Sequence, residues 1–249
     1  MRHLRTVLAV AIALLLWQFA APVAFDASLI PPPTEVSLAL LEMVRTGELV
    51  HDVLLSIWRV LVGFAIGSVA GTCLGLLTGR IRALTDTLGQ IFHLLRPIPV
   101  IAMVPLALVW FGIGEVSKYF LVSWGVFFPV WISTHLGASS IEQRYLWAAQ
   151  SLGARRAQLF YWVSFPSSLP MIIAGMRTGI AIGFVCVVAA EMSGAFGGIG
   201  YRIYASHMVF RVDKMLGGIV VLGLLGAIAD RCFALVVGRL FPWLKARDT

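Results

Sequence analysis

Apolar positions fall in long runs along this chain, separated by shorter stretches where Arg, Lys, Asp, Glu, Pro and Gly gather. A helix rising about 1.5 Å per residue needs about twenty predominantly apolar residues to cross the hydrocarbon core of a bilayer. The runs at Val7 to Phe25, Ile57 to Thr78, Ile98 to Phe111, Tyr119 to Ser139, Met176 to Ala195 and Met215 to Gly238 predict six transmembrane helices. The fold class that follows is an all-α polytopic membrane protein, one domain over 1–249 with short connections. The first run lies behind Arg2 and Arg5, with small residues near Ala21 and Ala24, as in a signal peptide. Its length and the following Pro31-Pro32-Pro33 favour an uncleaved span. The third run carries prolines at 97, 99 and 105 and predicts a kinked helix. Neighbouring helices must satisfy the carbonyls that it frees, a pattern that fits a helix lining a passage.

Composition agrees: 59% of the 249 residues are apolar and 12% are charged, against about a quarter charged in soluble domains. The formal charge of +7 is spread singly between apolar runs, so it speaks for orientation in a membrane and against nucleic acid. Arg2, Arg5, Arg80, Arg82, Arg96, Arg144, Arg155, Arg156, Arg177, Arg239, Lys245 and Arg247 collect on one side of the expected spans. Arg45, Lys118, Arg202, Arg211 and Lys214 fall on the other. The richer side is cytoplasmic, which predicts both termini there. The longest inner segment is Ser140 to Gly175; the longest outer ones are Asp26 to Ser56 and Gly194 to Lys214. Cys73, Cys186 and Cys232 lie in apolar runs without C-x-x-C spacing, so neither a disulfide framework nor a zinc site is expected, and they read as packing residues.

The inner segment reads WAAQSLGARRAQLFYWVSFPSSLPMIIAG from Trp147 to Gly175. Ala148, Ala149 and Leu152 share one face of a short helix, and Gly153 permits a tight bend. Phe160, Trp162, Val163 and Phe165 add apolar surface before Pro166 and Pro170 break regularity. On these residues alone, the segment reads as an amphipathic helix on the membrane surface, with Arg155 and Arg156 toward anionic lipid, or as a plug for a partner's groove.

The spacing resembles the EAA loop of type I ABC-importer permeases, in which Ala-Ala, Leu-Gly-Ala, an aromatic residue, a Pro pair and a final Gly recur in this order. The resemblance implies a cytoplasmic coupling helix in a loop at about 144–175. Its contacts to an ATPase subunit would come from Ala148, Ala149, Leu152, Gly153, Ala154 and Phe160. Trp147 stands where the family usually has Glu, so apolar docking is expected in place of that polar contact. Ile30-Pro31-Pro32-Pro33, Arg96-Pro97-Ile98-Pro99, Trp110 to Glu115, Val188-Ala189-Ala190-Glu191 and Gly198-Ile199-Gly200 are similar to the branch importing taurine, other aliphatic sulfonates and nitrate. That resemblance leaves pyrimidine and flavin precursors open as solutes. It implies a six-helix core in a bacterial inner membrane, paired with a second permease copy as a homodimer. Two ATP-binding cassette subunits and a periplasmic or lipid-anchored solute-binding protein complete the implied assembly.

The chain contains no Gly-Lys dipeptide and hence no G-x-x-x-x-G-K-[ST] phosphate loop, so ATP is expected in a partner and no cofactor in this chain. H-E-x-x-H is absent, Gly137-Ala138-Ser139-Ser140 is not a G-x-S-x-G elbow, and the five histidines are scattered; an enzyme is not expected. The alternative is a stand-alone secondary transporter of a small solute, which would show a hydropathy repeat with paired broken helices.

Arg59 and Glu191 fall in the outer halves of expected spans. Either they pair with each other, or they line the pathway and act on an anionic or zwitterionic solute. Pro99 and Pro105 are the other pathway candidates. Asp230 and Arg231 are adjacent and should serve different neighbours. Glycines 63, 67, 71 and 75 form a small-residue ladder inviting close helix approach. Trp58, Trp110, Trp124, Trp131 and Trp243 are expected as interface anchors.

Overall fold

The computed structural model describes residues 2–24 and 29–243, whose regular structure is entirely helical. Phe25, Asp26, Lys245 and Arg247, which the sequence reading used, lie outside the described residues. The helices are α1 (Arg2–Ala24), α2 (Pro33–Arg45), α3 (Glu48–Arg80), α4 (Arg82–Leu95), α5 (Val100–Phe111), α6 (Glu115–Ser139), α7 (Gln143–Ser151), α8 (Ala157–Gly194), α9 (Ile199–Met208) and α10 (Val212–Leu240).

Four of them, α3, α6, α8 and α10, are long and apolar enough to cross a membrane, and α4 with α5 makes a fifth candidate bent by 99°. The expected third span is therefore not one kinked helix. Its apolar part, α5, has 12 residues and reaches only about half way across a bilayer core. Pro97 and Pro99 explain the break, since neither offers a backbone N–H to continue the helical hydrogen-bond ladder. Within α1 the apolar helix found is Ala11–Ala21, shorter than a span. The fifth run departs the other way: α8 is continuous over 38 residues and absorbs Pro166 and Pro170. A π-helical turn at Phe160–Ser164 immediately precedes them. The wider turn there relieves the clash between a proline ring and the carbonyl four residues earlier.

Helix α6 sits between α3 and α8, and glycines set both spacings. A Cβ at Gly67 would lie 2.7 Å from the Ser123 carbonyl oxygen, and one at Gly71 2.9 Å from that of Phe127. On the other side, a Cβ at Gly175 would lie 2.9 Å from the Pro129 carbonyl. The expected ladder is thus a packing device, and it continues to Gly79 against Ala138. Val60, Val122, Val126, Val130, Phe184 and Val187 fill the core between the three helices.

Trp131 corrects its expected role as an interface anchor. It is fully buried in the middle of the bundle and donates its indole N–H to Thr78 Oγ1 at 3.1 Å. Trp58, Trp110 and Trp243 are exposed. Cys186 is buried against Gly125, whereas Cys73 and Cys232 lie on the exposed surface and do not pack the core.

Candidate functional site

The segment from Gln143 to Ser164 projects from the bundle around a glycine turn. Helix α7 ends with Ala154 N–H donating to Ala149 O at 3.0 Å and Gly153 N–H to Gln150 O at 2.8 Å. This paired closure requires a left-handed residue at Gly153, whose φ is +82°. The chain then turns into α8, where Gln158 Oε1 accepts from the Arg155 backbone N–H at 2.7 Å. The turn leaves Leu152 89% exposed, beside exposed Ala148 and Gly153 and half-buried Ala149 and Ala154. Trp147, Tyr161 and Trp162 extend the apolar surface.

Two side chains tie this knuckle to the bundle. Leu146 is the buried residue of α7. Phe160 packs against the cluster formed by Leu76 of α3, Ala138 of α6 and Ile172 of α8. Among the described residues no group of His, Cys, Asp and Glu is arranged to hold a metal.

At the opposite end of α3, the structure brings together residues far apart in the chain. Arg59, only 3% exposed, donates Nη1 to Glu191 Oε1 at 2.8 Å and to the Gly197 carbonyl at 2.6 Å. Its Nε and Nη2 make a bidentate pair with Glu115 at 2.8 and 2.7 Å. Glu191, 1% exposed, also accepts from Ser56 Oγ at 2.8 Å and from the Gly200 N–H at 2.8 Å. The first turn of α9 is capped entirely from other helices: Asp52 Oδ1 accepts from Gly198 N–H, Ser56 Oγ from Ile199 N–H and Glu191 Oε2 from Gly200 N–H. Arg202 of α9 closes the loop with Asp52 at 2.7 Å and Glu48 at 3.1 Å.

The pairing of Arg59 with Glu191 was one of the two readings open for those residues. The shares of Asp52, Ser56, Glu115 and Arg202 carried no sequence signal, because their partners in the network lie 56 to 154 positions away. Pro99 and Pro105 are elsewhere: Pro99 is the N-cap of α5 and Pro105 lies within it, both exposed. Asp230 pairs with Arg177 at 2.6 Å.

The family described as binding-protein-dependent transport system inner membrane component matches residues 67–242. The chain is 30% identical over 239 residues to the putative aliphatic sulfonates transport permease protein SsuC of Bacillus subtilis (strain 168), covering 96% of this chain and 87% of that protein. It is 33% identical over 219 residues to the taurine transport system permease protein TauC of Escherichia coli (strain K12), covering 86% and 80%. A solved structure of an amino acid ABC transporter has a chain that superposes with a TM-score of 0.62 at 14% identity, covering 81% of this chain and 96% of that one.

Proposed function

The chain belongs to the binding-protein-dependent transport family of inner-membrane components, the permeases of ABC importers, and from that premise we propose that it is both the solute route and the mechanical lever of its importer. It is a multi-pass membrane protein of a family that works with ATPase and solute-binding components. In the proposed assembly, two copies of this chain form the pathway in a bacterial inner membrane, with both termini cytoplasmic. Two ATP-binding cassette subunits hydrolyse ATP, which this chain does not bind, and a periplasmic or lipid-anchored protein delivers the solute. The whole of 1–249 serves as one transmembrane domain, with its coupling loop at about 144–175. The proposed solutes are taurine, other aliphatic sulfonates or nitrate-like ions.

The observation carrying this reading is the exposed apolar knuckle at Leu152, held by a glycine turn and anchored through Phe160 to three spans. An apolar side chain so exposed on a rigid turn is suited to fill a partner's pocket. Closure of the ATPase dimer pulls both knuckles together and rocks α3, α6 and α8 between outward- and inward-open arrangements.

The test is affinity purification from membranes with wild type, Leu152→Glu and Gly153→Asp. No atom lies within 4 Å of a Cβ at Gly153, so that variant has room to insert; its strain is confined to the backbone. An ATPase that copurifies with wild type and is lost from both inserted variants supports the coupling role. An ATPase retained by both would overturn the assignment of the knuckle.

A further inference from the structure

At the bend between α4 and α5 lies a cavity of about 460 Å³, lined by Arg96, Pro97 and Pro99 and by Trp124, Ser133 and Thr178. Its α6 wall runs from Trp124 to Ser133, the middle of a 25-residue span. Arg96 thus stands beside this wall, with its own side chain exposed. Among the described residues no carboxylate lies within 4.0 Å of it. The buried indole nitrogen of Trp124 is a donor that also lacks a partner. Ser133 adds a hydroxyl from α6, while Thr178 of α8 lines the cavity with its Oγ1 donating to the Ala174 carbonyl at 3.1 Å.

The helix ends reinforce this polarity. Helix α5 starts at the cavity with no side-chain cap and no acidic residue in its first turn, so its positive end is left uncompensated. A broken helix opening into a membrane-embedded cavity beside an unpaired cation is electrostatically complementary to a small anion. The cavity has the size for a sulfonate or nitrate group.

We propose that this cavity is a way-station for small oxyanions inside the membrane, with Arg96 as the charge that selects them and Trp124 and Ser133 as neutral partners. The proposal rests on the import reading above and deepens it. Solute leaving the binding protein meets a second anion-selective site before release. Discrimination is then shared between that protein and this chain.

The test uses the full chain with its ATPase and binding protein in membrane vesicles, in a Cys73→Ser, Cys186→Ala, Cys232→Ser background. A cysteine placed by Thr178→Cys is labelled with an anionic reagent, 2-sulfonatoethyl methanethiosulfonate, and with its cationic trimethylammonium counterpart. The anion-to-cation rate ratio should fall about tenfold on adding Arg96→Gln, the scale of one nearby charge. Arg96→Lys should retain the ratio, and methanesulfonate should slow anionic labelling only while Arg96 is present. Ser133→Cys gives the same reading if Thr178→Cys fails to insert. A ratio indifferent to Arg96→Gln, or no protection by methanesulfonate, would overturn the site. ATPase copurification from the same vesicles separates the claims: an ATPase without anion preference overturns the cavity alone, whereas anion preference without an ATPase supports the cavity and removes the importer around it.

Discussion

Replacing Arg59 by Met should destabilise the protein more than replacing Glu191 by Gln, although the two residues share one ion pair. Among the described residues Arg59 is the sole cation bonded to Glu191, and its removal leaves that buried carboxylate with only neutral donors, Ser56 and the Gly200 amide. Stripping one partner from a buried pair costs about 3–5 kcal/mol. Glu191→Gln is milder, because Arg59 keeps its bidentate pair with Glu115 and the amide retains the shape and one acceptor. The cost there is that of one or two mismatched hydrogen bonds, about 1–3 kcal/mol. At about 2–4 °C per kcal/mol for a chain of this size, Arg59→Met should lower the melting temperature by roughly 6–20 °C. Thermal unfolding followed by tryptophan fluorescence in lipid nanodiscs measures both variants. Equal losses, or a larger loss for Glu191→Gln, would refute this account of the network. Unchanged melting with lost solute uptake would move Arg59 from a packing role to a pathway one.

Other consequences are equally specific. Gly67→Val should cost about 1–3 kcal/mol through overpacking and lower the amount of protein recovered from membranes, because the added atoms meet the Ser123 carbonyl and Val126. Gly198→Ala should lower the melting temperature well beyond Gly47→Ala: both glycines have positive φ, yet the new methyl at 198 runs into the Glu191 carboxylate while that at 47 meets nothing. The Glu42 carboxyl is held below its ordinary range by Lys214, then Arg211. Its clasp between α2 and α10 is therefore present above the ordinary carboxylate pKa and is lost as pH falls through the depressed one. Proteolysis of the α9–α10 connection should accelerate under such acid conditions, and Glu42→Gln should reduce that pH dependence to the share of Asp213, whose carboxyl Arg211 also holds low.

How much of this was legible depends on whether the signal was local. The glycine ladder could be read because residues four apart stack on one helix face, and the knuckle because Gly153 and its neighbours are contiguous. The bend at residues 96–99 was visible as prolines, but its angle was not, since 99° depends on what α4 and α5 pack against. The cap on α9 was hidden entirely: Asp52, Ser56 and Glu191 are ordinary polar residues until folding brings three helix ends together. Trp131 misled for a related reason. A tryptophan in an apolar run suits both an interface and a core, and only Thr78, 53 positions earlier, decides the matter by accepting its N–H.

The central claim is that this chain moves solute only as the lever of an ATPase, and the most direct measurement is accumulation of radiolabelled taurine or methanesulfonate in vesicles reconstituted with the purified complex. The account predicts accumulation that requires ATP and the solute-binding protein together and that collapses with Leu152→Glu, without loss of inserted chain. Accumulation by the chain alone, driven by an ion gradient and indifferent to ATP and to Leu152→Glu, would contradict it.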